Sequence, residues 1–135
     1  MKVSARMRQR GFTLIEMVIV IVIMGVLMAI ALPMYNQSIT RAKEARLRHN
    51  LVTLNKLIQE YSLDKKQAPQ SLQDLVDAGY IKFIPDDITG SNTTWQTESE
   101  DPEKAWNPDQ TGIASVHSGS DQASSEGSPY SSWTK

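Results

Sequence analysis

The sequence predicts an α+β protein in which one long amino-terminal helix packs on a small antiparallel β-sheet. Three features of its 135 residues support this fold class. Most apolar side chains lie in one block at residues 12–35, the next segment repeats apolar residues at helical spacing, and the polar remainder contains two short strand-like runs. The length allows one small globular head in addition to the helix.

Composition excludes several classes of function before any motif is considered. Fourteen Lys and Arg against fifteen Asp and Glu give a net charge of -1, which argues against a basic surface for nucleic acid. With no cysteine, disulfide frameworks, thiolate zinc sites and cysteine nucleophiles are excluded. His49 and His117 lack a second ligand at metal spacing, and there is no GxSxG motif or phosphate loop. We therefore predict no enzymatic activity and no nucleic-acid partner.

A short basic leader precedes the apolar block. It carries no acid, so the amino terminus is expected to stay on the cytoplasmic side of a membrane. Its cations are Lys2, Arg6, Arg8 and Arg10. The apolar run that follows is longer than that of a removable secretory signal and continues into a polar helix, so an ordinary signal peptide fits poorly.

The apolar block at residues 12–35 is long enough to cross a bilayer. As a helix it measures about 36 Å, and its polar members are Thr13, Glu16 and Tyr35. A carboxylate in mid-bilayer costs about 2.5–3.5 kcal/mol, so Glu16 either reaches the headgroups in a monomeric anchor or has a compensating partner. Pro33 removes a backbone donor and is expected to kink the helix near the outer interface.

The segment Arg10-Gly11-Phe12-Thr13-Leu14-Ile15-Glu16 resembles the processing site of type IV pilins and type II secretion pseudopilins, and the resemblance continues to Pro33. It implies a pilin-like fold, cleavage by a prepilin peptidase between Gly11 and Phe12, and methylation of the new amino terminus. Cleavage would remove the four leader cations, shift the side-chain balance from -1 to -5, and create an ammonium at Phe12. In a staggered filament, Glu16 would pair with the Phe12 ammonium of a neighbouring subunit and set the axial register.

Beyond Pro33 the apolar pattern narrows to a stripe that predicts one continuing amphipathic helix. The stripe consists of Leu47, Leu51, Leu54, Ile58 and Tyr61. A basic collar lies elsewhere on this helix, either as a solvated face or as partners for acids of neighbouring subunits. The collar contains Arg41, Lys43, Arg46 and Arg48 with Glu44 between them, and the candidate acids are Asp64, Asp74, Asp77 and Asp86. The helix should end near Lys65 and Lys66, before Pro69.

The remaining residues predict a small head with one short helix and two strands. Ser71 and Asp74 are spaced as a capping box, and Gly79 ends the helix that follows. The strands are predicted at Thr93 to Thr97 and at Ile113 to His117. The predicted core contains Leu47, Leu51, Leu54, Ile58, Tyr61, Leu72, Leu75, Val76, Ile81, Ile84, Trp95, Ile113, Val116 and Trp133. The chain thus divides into a leader (1–11), a transmembrane assembly helix (12–35), an amphipathic stem (36–66) and a periplasmic head (67–135).

The sequence at the start of the head narrows the resemblance from pilin-like proteins in general to one type of subunit. Pro69-Gln70-Ser71-Leu72, the run from Leu75 to Ile81, and Ile84-Pro85-Asp86-Asp87 resemble the major pseudopilins, the G subunits of type II secretion; Ile88 stands where a proline is common. The resemblance implies a subunit that polymerises into a periplasmic pseudopilus from the bacterial inner membrane, with minor pseudopilins and an inner-membrane assembly platform as partners. A type IV pilin for adhesion, motility or DNA uptake is the alternative within the class. A monomeric membrane-anchored binding module is the alternative outside it.

The carboxyl-terminal segment from residue 117 onward is rich in serine, and its composition is typical of a flexible loop. The resemblance implies a calcium ion in this loop. The expected oxygen donors are Asp121 and Glu126, with Asp109 and Ser118 as weaker candidates. Two acids supply few of the six to eight oxygens that calcium takes. Tyr130 and Trp133 favour the alternative, a loop that packs down without a metal.

Overall fold

The computed structural model describes residues 11–134, so the first ten residues of the predicted leader lie outside the described part of the chain. Its elements, in chain order, are helix α1 (Leu14–Lys65), helix α2 (Leu72–Asp77), strand β1 (Gln96–Ser99), strand β2 (Ile113–His117) and a 3₁₀ turn at Tyr130–Ser132. β1 and β2 form a two-stranded antiparallel sheet. A long amino-terminal helix with a small antiparallel sheet confirms the predicted α+β, pilin-like arrangement.

The chain forms two compact units, which divide between Ser38 and Ile39. In the first unit the side chains of α1 are exposed, and the most apolar 18-residue window has a mean hydropathy of 2.9 with none of it buried. By length and composition, α1 can cross a membrane.

In the second unit, the predicted apolar stripe of α1 forms the centre of the core. Leu51 and Leu54 are fully buried, and Ile58 is nearly so. The helix ends at Lys65, and Lys66 takes a positive φ of 56°, the left-handed conformation that commonly terminates helices. Both the stripe and the end of the helix confirm the predictions.

Helix α2 is held by the predicted capping box. The Asp74 carboxylate accepts the backbone N–H groups of Gln70 at 2.7 Å and Ser71 at 3.1 Å, and the Ser71 hydroxyl donates to it at 2.9 Å. Gly79, with φ of +83°, follows the helix, and the Tyr80 N–H donates to the Leu75 carbonyl at 2.9 Å. These bonds satisfy groups that the ends of a short helix leave without partners.

Strand β2 matches its prediction, whereas the first strand was predicted too early. β1 begins at Gln96, after Trp95, and pairs with β2 in the register Gln96↔His117. The two threonines before Trp95 belong to a loop instead. The Thr94 hydroxyl donates to the Asp87 carboxylate at 3.0 Å, and this side-chain bond to the preceding loop competes with ladder formation.

The core joins the α1 stripe to α2, the sheet and the carboxyl-terminal segment. The buried apolar side chains are Leu47, Leu51, Leu54, Ile58, Tyr61, Ala68, Leu75, Trp95, Ile113, Val116, Tyr130 and Trp133. Other predicted members are partly buried: Leu72, Val76, Ile81 and Ile84. The predicted core lacked Ala68 and Tyr130, although Tyr130 was expected to pack down with the carboxyl-terminal loop. It also lacked Glu44 and Asp87, two carboxylates inside the head that are 6% and 0% exposed.

Candidate functional site

The start of α1 lies directly after the predicted cleavage point and is capped by Thr13. The Glu16 N–H donates to Thr13 Oγ1 at 3.3 Å, and the Met17 N–H donates to the Thr13 carbonyl at 3.2 Å. A threonine in this position satisfies one of the free N–H groups of a helix start. The spacing Thr-x-x-Glu is a capping-box pattern, a local signal in the sequence that marks this helix start.

Glu16 is the one charged side chain in the sequence between residues 12 and 38. It lies in the first turn of α1, where a negative charge is favoured by the helix dipole. Its neighbours Phe12, Leu14 and Ile15 are 76%, 82% and 64% exposed, so the end of the helix presents apolar surface around one acid. The structure therefore places Glu16 where a membrane or another protein surface can surround it.

Pro33 lies within α1, which continues as one element on either side of it. One turn later, the Ser38 hydroxyl donates to the Met34 carbonyl at 2.9 Å, a bond that often accompanies bending of helices. The predicted kink at Pro33 stays a prediction.

In the head, Glu44 is buried and binds the carboxyl-terminal segment, which corrects its predicted place in the basic collar outside the core. Glu44 Oε1 accepts the Ser125 N–H at 2.6 Å and the Tyr130 hydroxyl at 3.0 Å, and Oε2 accepts the Ser125 hydroxyl at 2.5 Å. These contacts connect residues that are more than eighty positions apart in the sequence. Helical spacing could not have revealed them, because the donors come from a segment without regular periodicity.

The hydrogen bonds to Glu44 favour its charged form. Burial acts to raise its pKa, but the Ser125 side-chain and backbone bonds, the Tyr130 hydroxyl and the charge of Arg48 outweigh this effect, so the pKa is lowered from 4.5. The same environment raises the pKa of Tyr130 from 10.0, through burial first and then the bond to Glu44. The pair is therefore a carboxylate and a neutral phenol at neutral pH.

Arg48, one turn after Glu44, binds the same segment from outside. Its guanidinium contacts the Glu126 carboxylate at 2.7 Å and lies over the ring of Trp133, 4.3 Å from the ring centroid. The ion pair is exposed and adds little stability, whereas the ring contact also covers apolar surface. Arg48 thus acts within its own chain. The other collar members, Arg41, Lys43 and Arg46, are exposed, and their pairing with neighbouring subunits stays a prediction.

Three of the four acids proposed as inter-subunit partners accept side-chain hydrogen bonds within the head, and the pairing of all four with neighbouring subunits stays a prediction. Asp74 caps α2, and Asp77 accepts a bond from Gln73 at 3.1 Å. Asp64 accepts the Tyr80 hydroxyl at 2.7 Å, and this bond raises the pKa of Tyr80 to about 12. The Asp86 carbonyl accepts a bond from Asn50 at 3.1 Å.

Asn55 joins α1 to β2 and to the end of the described chain. Its Oδ1 accepts the Val116 N–H at 2.8 Å, and its Nδ2 donates to the carbonyls of Val116 at 3.2 Å and Thr134 at 3.4 Å. Glu44, Arg48 and Asn55 are spaced by four and seven residues, so they share one helix face. This polar face receives the carboxyl-terminal segment.

Asp87, the second buried acid, fastens the beginning of the same segment. Its carboxylate accepts the N–H of Ile88 at 2.7 Å, the Thr94 hydroxyl at 3.0 Å and the Gly119 N–H at 3.1 Å. The local turn closes with the Gly90 N–H donating to the Asp87 carbonyl at 2.9 Å, and Gly90 has a φ of +84°. The position of Ile88 is thus held by a hydrogen bond from its own N–H, which a proline would lack.

The predicted calcium donors have separate partners. Asp121 accepts the Ser131 hydroxyl at 2.7 Å, Glu126 pairs with Arg48, and the Ser118 hydroxyl accepts the Ser120 N–H at 3.2 Å. Asp109 is exposed. Across residues 11–134, no three His, Asp or Glu side chains are grouped so that they could hold a metal ion. Calcium binding stays a prediction.

A capped apolar helix with one acid in its first turn, continuing into a small α+β head, defines the pilin-like class. The model of the prokaryotic N-terminal methylation motif matches residues 6–32. The type II secretion system core protein G of Klebsiella pneumoniae is 37% identical over 101 residues, covering 63% of this chain and 72% of the relative. The corresponding core protein G of Escherichia coli K12 is 34% identical over 101 residues, covering 63% and 70%.

A second kind of relative shares a shorter stretch. The type IV major fimbrial protein FimA of Dichelobacter nodosus is 42% identical over 60 residues, which is 44% of this chain and 38% of the relative. No solved structure matches the chain. The chain belongs to the family of type II secretion system core protein G, because it aligns with at least 70% of the length of the two core protein G relatives at 34–37% identity.

Proposed function

We propose that this chain is a structural subunit that polymerises into the pseudopilus of a type II secretion system. The observation that carries the proposal is Glu16, a single acid at the capped start of an exposed helix that is otherwise apolar enough to span a membrane. An isolated anchor has no need for that acid, whereas a polymer can neutralise it with a second subunit.

The proposal includes processing at the cytoplasmic face of the inner membrane. A prepilin peptidase cuts between Gly11 and Phe12, and the amino group of Phe12 is methylated. The match to the methylation motif supports this step, as does Gly11, which is exposed and precedes the first helical residue. The basic leader keeps the amino terminus cytoplasmic, and the head then lies in the periplasm.

The new ammonium gives Glu16 its partner. With one subunit displaced along the filament axis relative to the next, the Phe12 ammonium of one copy reaches the Glu16 carboxylate of another. In low dielectric an unpaired carboxylate is costly, so pairing favours the polymer over dispersed subunits and fixes their axial offset. Minor pseudopilins and an inner-membrane assembly platform complete the proposed set of partners, and no catalytic role is assigned to this chain.

Intact-mass analysis of the membrane-extracted protein tests the processing step. The expected species begins at Phe12 and carries one added methyl group, and a variant with Gly11→Leu should keep the leader. A wild-type preparation that contains the uncut chain alone would favour the monomeric membrane-anchored binding module. The matched control is Gly25→Leu, which alters an exposed glycine within α1, away from the cleavage point, and should be cut normally.

A type IV pilin for adhesion, motility or DNA uptake is the second candidate, supported by the match to FimA. The matches to core protein G favour secretion because they extend over 101 aligned residues, compared with 60 for FimA. Deleting the gene separates the two. A pseudopilin deletion blocks export of a folded enzyme, whereas a pilin deletion leaves export intact and abolishes surface fibres.

A further inference from the structure

We infer that the carboxyl-terminal segment of the head, residues 117–134, closes around the carboxylate of Glu44, and that this closure does not require a bound cation. The inference concerns the folding of a single head, so it holds whether or not the chain polymerises. It assigns to Glu44, Ser125 and Tyr130 the task of ordering a segment whose composition alone is typical of a flexible loop.

The kind of hydrogen-bonding group that the segment directs toward Glu44 supports this assignment. Around Glu44 the segment presents donors: the N–H and hydroxyl of Ser125 and the hydroxyl of Tyr130, all within 3.0 Å of the carboxylate oxygens. Converging donors stabilise a negative charge. A calcium loop has the opposite arrangement, because it places carboxylate and carbonyl oxygens, which are acceptors, around a positive ion.

The predicted calcium donors do not fit a shared site. Asp121 accepts a hydroxyl bond from Ser131, while Glu126 is turned to the guanidinium of Arg48, 2.7 Å away. A cation on Glu126 would also lie close to the positive guanidinium of Arg48, which would repel it. Even with both carboxylates bidentate, the two acids would provide at most four of the six to eight oxygens that calcium takes.

Further hydrogen bonds and ring contacts hold the segment against the head along its length. The Gly119 N–H donates to buried Asp87, and the Thr134 carbonyl accepts from Asn55. Between these points, Tyr130 and Trp133 are buried and pack edge to face, with ring centroids 5.3 Å apart. The segment is therefore ordered by two buried carboxylates, one asparagine and an aromatic pair, which together replace the cross-linking that a cation would supply.

The test measures thermal unfolding of the full chain in detergent, with and without a calcium chelator, and with millimolar calcium. Wild type should have the same melting temperature in all three. Glu44→Gln should lower it by about 5–15 °C, because the amide loses the charge and directs an N–H₂ group at one of the Ser125 or Tyr130 donors. It should also speed protease cleavage within residues 117–134 at least tenfold. Glu60→Gln is the matched control, since Glu60 is half-exposed on the same helix and its carboxylate pairs with Lys56 at 3.5 Å, a weak surface ion pair.

Two results would overturn the inference. The first is a rise in melting temperature with calcium that disappears in the double variant Asp121→Asn, Glu126→Gln. The second is a Glu44→Gln protein whose unfolding and proteolysis match those of Glu60→Gln. If Glu44→Gln does not fold, Ser125→Ala and Tyr130→Phe each remove one donor and keep the charge. Both should then lower the melting temperature by a few degrees, and the absence of any shift in both would contradict the inference.

Discussion

At the scale of single residues, the head depends on two acids that are almost inaccessible to solvent. The carboxylates of Glu44 and Asp87 each accept three hydrogen bonds. Glu44 lies on α1 and Asp87 lies in the loop before β1, and each accepts at least one bond from the carboxyl-terminal segment. A buried carboxylate is tolerated when its bonds are satisfied, and removing one partner leaves a charge without compensation. These two side chains therefore stabilise the contact between the carboxyl-terminal segment and the rest of the head.

The lowered pKa of Glu44 predicts a loss of stability in acid. Since the folded-state pKa lies below the ordinary value of 4.5, its contribution is fully present above pH 4.5 and is lost as the pH falls through the folded-state pKa. The charged and titratable groups around it are Arg48 on α1, Tyr130, and Glu126 bound to Arg48. The free energy of unfolding from urea titrations should fall more steeply below pH 4.5 in wild type than in Glu44→Gln; parallel curves would contradict the prediction.

Gly119 is required by close approach of two backbone segments. A Cβ atom at this position would lie 2.0 Å from the Thr94 carbonyl oxygen, which is too close for any side chain without movement of the backbone. We expect Gly119→Ala to lower the free energy of unfolding by about 1–3 kcal/mol, measured by urea denaturation. Gln122→Ala, on an exposed residue of the same segment, should change it by less than about 0.5 kcal/mol. Equal effects of the two would show that the close approach is absent.

At the scale of elements, α1 has a different surface in each unit. In the first unit its side chains are exposed around one acid. In the second unit an apolar stripe faces the core, and the adjacent face with Glu44, Arg48 and Asn55 holds the carboxyl-terminal segment. The sheet has only two strands, so much of its alignment comes from bonds between Asn55 and β2 instead of a longer ladder.

The Asn55 bonds to β2 give a prediction for the element. Asn55→Ala leaves the N–H and carbonyl of Val116, which is 1% exposed, without their side-chain partner. The free energy of unfolding should fall by about 2–3 kcal/mol in urea denaturation. Asn50→Ala is the matched substitution, because Asn50 makes one bond, to the Asp86 carbonyl, and should cost about 1 kcal/mol or less. A larger loss for Asn50→Ala than for Asn55→Ala would contradict the proposed role.

At the scale of the whole chain, sequence periodicity predicted the elements that have regular residue spacing. It missed the contacts between side chains that no local pattern connects. The apolar block, the stripe from Leu47 to Tyr61 and the capping box of α2 follow from local spacing, and all three are found. The start of β1 was predicted too early because Thr94 bonds to Asp87, a contact that no local pattern contains. Glu44 was placed in the basic collar, outside the core, for the same reason, since its partners lie in a serine-rich segment without periodicity.

Family membership and structure together give the chain a role in assembly. The match to the methylation motif and to core protein G agrees with an exposed apolar helix that begins at Leu14, three residues after Gly11. The head contributes a folded body held by its own contacts, so assembly is proposed to depend on the amino-terminal charge pair. Loss of that pair should leave the head intact.

The most direct measurement is filament assembly by a Glu16→Leu variant expressed with the rest of the secretion system. Filaments recovered after the outer membrane is opened and the amount of exported enzyme should both fall below detection. Cleavage at Gly11 and the melting temperature of the head should match wild type, and Met17→Leu should assemble normally. Wild-type amounts of filaments and export from Glu16→Leu would contradict the proposal that the pairing of Glu16 with the Phe12 ammonium of a neighbour drives polymerisation.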